Sequence, residues 1–177
     1  MPYLGYFQAI AAVDKYILYD QLTYILGGWI NRNRIRQRNM PVSYIIVPLL
    51  QKSSYELIAN TMIDNTKPWE KKILTALTLG YAKADYYLEV MPLFEDILTK
   101  DYETISELNS YSIRKICQYL DITTEIVEDC SCYKNIETGL NLVEHGDYSL
   151  FPYMEQTLPI KKVARVIAIC RRENSHN

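Results

Sequence analysis

Hydrophobic and polar positions change their period along the chain, and each change marks an element. From Gly5 to Val13, Phe7, Ile10 and Ala11 recur at helical spacing and predict a short helix. Tyr16 to Tyr19 then reads as a buried strand ended by Asp20. Beyond a loop holding Gly27 and Gly28, residues Trp29 to Arg36 alternate as a strand does, and Val42 to Leu49 is a second apolar run. The polar residues Gln37 to Pro41 between them predict a hairpin, and Leu57 to Ile63 predicts a further strand.

The period becomes helical after Asn65. Pro68 suits a first helical turn, where its missing N–H has no acceptor to lose. Trp69, Ile73, Ala76, Leu77 and Gly80 then share one face of an amphipathic helix. A second helix is expected over Asp85 to Leu98, kinked or split by Pro92. A third is expected over Glu103 to Leu120, with Ile105, Leu108, Ile113, Ile116, Cys117 and Leu120 on one side. Thr123 to Val127 predicts a strand, residues 128 to 158 show no period, and Pro159 to Arg171 predicts a closing helix. The fold class is therefore mixed α and β: an N-terminal β-rich half with a basic hairpin, and a helical C-terminal half. A length of 177 residues suits a single domain spanning 1–177 with an adequate core.

Charge refines this picture. The total of 19 bases and 21 acids argues against a wholly cationic nucleic-acid binder. The layout is uneven: residues 21 to 55 hold five bases and no acid, whereas residues 85 to 155 hold fifteen acids and four bases. Tyrosine is abundant, with 16 Tyr against 3 Phe, and suits half-buried surfaces and ligand walls. No stretch is long and apolar enough for a membrane span, and Met1 to Ile10 lacks the features of a signal peptide, so a cytoplasmic protein is expected. Cys117, Cys130, Cys132 and Cys170 lack the spacing of a zinc site and read as reduced, structural thiols, so no metal or cofactor is expected.

The strongest local feature is Arg32, Arg34, Arg36 and Arg38, at even spacing. On a strand these four share a face. Three readings stay open: a solvated edge strand protected from aggregation, an anion or nucleotide-diphosphate site, or a surface docking on the acidic half. The acidic total and the lack of a recognised binding motif argue against nucleic acid as a partner. Asp20, at the C-terminal end of a strand, is the acid best placed for chemistry, with a turn-forming role as its alternative. His145 and His176 read as surface residues, and no P-loop, dinucleotide fingerprint or nucleophile elbow occurs.

Several blocks together resemble the WbqC-like family. These are Pro2-Tyr3-Leu4-Gly5-Tyr6-Phe7-Gln8, Val13-Asp14-Lys15-Tyr16, Tyr19-Asp20 and Gly28-Trp29-Ile30-Asn31-Arg32-Asn33-Arg34. Val47-Pro48-Leu49, Trp69 with Lys72, Tyr81-Ala82-Lys83-Ala84 and Ser112 to Cys117 continue in order, and Arg165 to Cys170 resumes the likeness. The family is bacterial, and its name-bearing member is associated with O-antigen (lipopolysaccharide) gene clusters. The resemblance implies a role in surface-polysaccharide biosynthesis, as a transferase moving an acyl or aminoacyl group to a nucleotide-linked amino sugar. A non-catalytic binding or scaffold protein of such a cluster is the alternative. The implied substrate-binding positions are Gly5, Tyr6, Gln8, Trp29, Asn31, Arg32, Asn33 and Arg34, with Asp20 as the implied catalytic residue. Aromatics would stack, Asn would bond hydroxyls and Arg would hold the diphosphate of a nucleotide-sugar or other phosphorylated small molecule. A homo-oligomer is compatible with the split between basic and acidic regions. The chain departs from the family at Met1, where an apolar strand and Gln usually precede, at Gln21 and Leu26, where an acid and Lys are frequent, and at Asn177, where a Gly-rich segment usually follows. These departures suggest a chain shortened at both ends.

Overall fold

The computed structural model describes residue 2, residues 4–35 and residues 42–128. Arg36, Arg38, the Gln37 to Pro41 linker, Cys130, Cys132, Cys170, His145, His176 and the expected closing helix lie outside the described residues, as does nearly all of the aperiodic acidic stretch.

Among the described residues, short strands mostly in the N-terminal half and four helices, the three long ones following residue 68, make the expected mixed fold. Helix α1, Leu4–Ala11, leads into strand β1, Lys15–Ile17. Strands β2, Arg32–Ile35, and β3, Ser43–Ile46, pair antiparallel, as the sequence pattern predicts. Helices α2 (Trp69–Tyr81), α3 (Tyr87–Leu98) and α4 (Ile105–Tyr119) follow, then strand β4 (Glu125–Val127). Strand β4 returns to β1 and pairs with it in parallel, Lys15 opposite Glu125, and their side chains meet in an ion pair at 2.9 Å.

Three expectations change. Leu57 to Ile63 is not a strand: it turns through one 3-10 segment, Ile58–Asn60. Its backbone serves three neighbours instead of one ladder. The Ile58 and Ala59 N–H groups donate to the Leu22 and Asp20 carbonyls, Leu50 N–H donates to Met62 O, and Ile63 N–H donates to Glu103 O. Second, α3 runs unbroken through Pro92. The proline takes the partner from the Leu88 carbonyl, but Pro92 and Leu88 are both exposed, so the loss falls on the solvent side. Third, Pro68 sits at the N-cap of α2, just before its first turn.

Two apolar clusters meet on α4. The larger gathers Tyr24, Ile35 and Val47 with Trp69, Ile73, Met91, Ile97, Tyr102, Ile105 and Leu108. The smaller joins Phe7, Ile10 and Leu18 to Ile113 and Cys117. Ile116 packs against both. A capping box starts α4: Thr104 accepts from Glu107 N–H, and the Glu107 carboxylate accepts from Thr104 N–H. Among the described residues no helix is long and apolar enough to cross a membrane.

Candidate functional site

The two-residue period of β2 separates the candidate residues onto opposite faces. Arg32 and Arg34 stand opposite Ile46 and Tyr44 on the outer face, whereas Asn33 and Ile35 stand opposite Ile45 and Ser43 on the inner one. Ile35 is in the core and Ile45 packs against it, so the inner face is fixed and the outer one is left to solvent.

On the outer face Trp29 and Tyr44 stack at 6.2 Å between ring centroids, with 24° between planes. The Arg32 guanidinium lies 5.4 Å from the Trp29 centroid and 5.3 Å from that of Tyr44. Arg34 lies over Trp29 at 4.9 Å. The result is a cation–aromatic platform, half exposed at Trp29 (46%) and Tyr44 (50%). The two arginines differ. Arg32 donates from Nε to Gly28 O at 2.9 Å and from a terminal nitrogen to Gly27 O, so it clasps the turn before the strand. Gly27 needs its glycine there, with φ at +72°. Arg34 is exposed, and among the described residues no carboxylate pairs with it.

Asn31 is buried and its side chain is committed to the fold. It accepts from Tyr24 Oη at 2.8 Å and donates to Val47 O at 2.8 Å. Burial raises the Tyr24 pKa, and the nearby Arg32 charge partly offsets that. Asn33 accepts from Arg34 N–H at 2.7 Å.

A cavity of about 450 Å³ opens between β2 and the three long helices. Asn31, Arg32, Asn33 and Arg34 border it on the strand side, and Pro2 reaches it from the start of the chain. Helix α4 ties this region to Asp20. Ser106 Oγ donates to Asp20 Oδ2 at 2.6 Å, and Asn109, one turn on, donates to Ile30 O at 3.1 Å. Gln21 holds the other Asp20 oxygen at 2.9 Å. Asp20 thus lies beside the cavity wall and not in it.

Gly5, Tyr6 and Gln8 sit on α1, at the smaller cluster. Tyr6 meets Tyr16 edge-on at 5.5 Å and Gln8 is exposed. The structure therefore brings Asn31 to Arg34 together at one cavity, sets Trp29 beside them through the arginines, and leaves the α1 residues in a different packing environment. Tyr44, Ser106 and Asn109 were not legible as site residues. The available signals were Tyr44 sharing parity with exposed Ile46, and polar Ser106, Asn109 and Ser112 at spacing three on a helix otherwise apolar on that side. Among the described residues no His, Cys, Asp and Glu gather as metal ligands would, and Cys117 is buried with its thiol pKa raised by desolvation.

The model of the WbqC-like protein family matches residues 1–177. The Mycobacterium tuberculosis protein Rv1507c, itself described as uncharacterized, is 35% identical over 128 residues. That match takes in 71% of this chain and 54% of the relative, so the chain spans about half the length of the curated relative it matches. No solved structure matches it. With the family model covering the whole length, the chain belongs to the WbqC-like protein family.

Proposed function

We propose that this chain acts in surface-polysaccharide biosynthesis as a transferase on a nucleotide-linked amino sugar. The observation that carries the reading is Arg34: an exposed guanidinium, 4.9 Å from the Trp29 ring centroid and without a carboxylate partner among the described residues, beside a cavity of ligand size. Such a group is preorganised for a diphosphate, while Trp29 and Tyr44 offer ring faces to a sugar or base. In the transfer, the acceptor amine attacks the acyl carbon, a C–N bond forms, the bond to the carrier breaks, and the amine proton leaves to a base. We assign that proton to Asp20, a carboxylate beside the cavity wall that accepts from Ser106 and Gln21.

The test is calorimetric titration of wild type and Arg34→Ala with UDP-linked amino sugars. A charge-assisted contact of ~1.5–3 kcal/mol predicts that the variant binds roughly ten- to a hundredfold more weakly. Equal affinity in the two proteins would remove Arg34 from the site. A scaffold role is the second reading, favoured by Ile25, Leu26, Val42 and Ile46, which stand 48–62% exposed. Co-purification of a polysaccharide-cluster protein together with no nucleotide-sugar binding would favour it.

A further inference from the structure

The cavity wall has a one-sided chemistry. Leu77, Met91, Phe94, Leu98, Leu108 and Ile116 supply an apolar body from the three helices. Arg32 and Arg34 are the charged residues of the wall, and no Asp or Glu lines it among the described residues. Asn109 and Ser112 also line it, yet each already donates inward to a backbone carbonyl, Asn109 to Ile30 and Ser112 to Leu108. A cation entering this space would lose its hydration against an apolar wall that presents no Asp or Glu among the described residues. An aliphatic chain would instead exchange water for packed side chains, and an anionic head would meet the arginines at the strand-side border.

We propose that the cavity binds the aliphatic part of an anionic ligand, a medium-chain acyl group whose carboxylate or phosphate-bearing head lies toward Arg34. This rests on the transferase reading only in taking the bound group as the one transferred, and it makes that group an acyl chain.

The experiment titrates the full chain with butyrate, hexanoate, octanoate and decanoate, and with decylamine and leucinamide as cationic counterparts. Each added methylene is worth about fourfold in affinity, so the carboxylates tighten along the series. Decylamine is expected to bind at least tenfold more weakly than decanoate, and leucinamide not to bind. Ala84→Trp and Val90→Trp narrow the cavity from exposed and half-buried positions, and each is expected to weaken decanoate at least tenfold while circular dichroism stays native. Arg34→Gln, at an exposed position, narrows the gap between decanoate and decylamine and serves if neither filled variant folds. A flat carboxylate series, equal binding of decylamine, or natively folded filled variants that bind decanoate normally would each overturn the proposal. Loss of nucleotide-sugar binding with decanoate binding intact would strike the sugar site alone. The converse result would strike this inference alone.

Discussion

Arg32 and Arg34 are two residues apart on the same face of one strand, yet the fold gives them different work. Arg32 spends its donors on the Gly27 and Gly28 carbonyls and holds the turn that delivers Trp29. The Arg34 guanidinium rests on Trp29 and forms no ion pair among the described residues. Arg32→Ala should therefore lower stability by about 1–2 kcal/mol, and Arg34→Ala by less than about 0.5 kcal/mol, in chemical denaturation. Equal losses would erase the distinction. The sequence makes the even-spaced arginines visible, because strand periodicity is local. It does not reveal that one of them is structural, since the acceptors are backbone carbonyls any sequence would provide. The same blindness covers Asn31, whose partners are Tyr24 and the Val47 carbonyl across the hairpin.

Among the elements, those with a long, clean period were legible. Helices α2 and α4 and the β2–β3 hairpin lie where their apolar spacing puts them. The segment around Ile58 was not, because its apolar residues answer to three separate neighbours and no single period describes that. Helix α3 was legible in place, and it is one helix and not two. Pro92 sits in its interior, exposed, and the helix continues around it. Intrinsic propensity ranks proline about 3 kcal/mol below alanine in such a position. Pro92→Ala is expected to raise the thermal midpoint, with a gain of about 1–3 kcal/mol. No gain would mean that the surrounding packing already compensates the missing hydrogen bond.

At the scale of the molecule, titratable groups bound the pH range of stability from both sides. Lys67 and Thr66 hold the Asp64 carboxyl below its ordinary range, and Lys115 does the same for Asp96. A depressed carboxylate contributes stability above its unfolded pKa and loses it as pH falls through the folded one. Burial lifts the Tyr24 and Tyr102 phenols above theirs, and a raised phenol contributes below its unfolded pKa and loses that as pH rises. Urea midpoints should therefore be flat in between, falling below about pH 4 and above about pH 10. A midpoint unchanged down to pH 3 would contradict the acid limb. The β1–β4 pairing sets a different kind of bound. Thr124 donates to the Ile10 and Val13 carbonyls, across 114 and 111 residues, next to the parallel bridge between the two strands. At ordinary synthesis rates of ~5–20 residues per second, the segment bearing Gly5, Tyr6 and Gln8 waits on the order of ten seconds on the ribosome for its partner. Until then the apolar side of α1, with Phe7 and Ile10, is uncovered, and the nascent chain has a window in which a chaperone has something to hold.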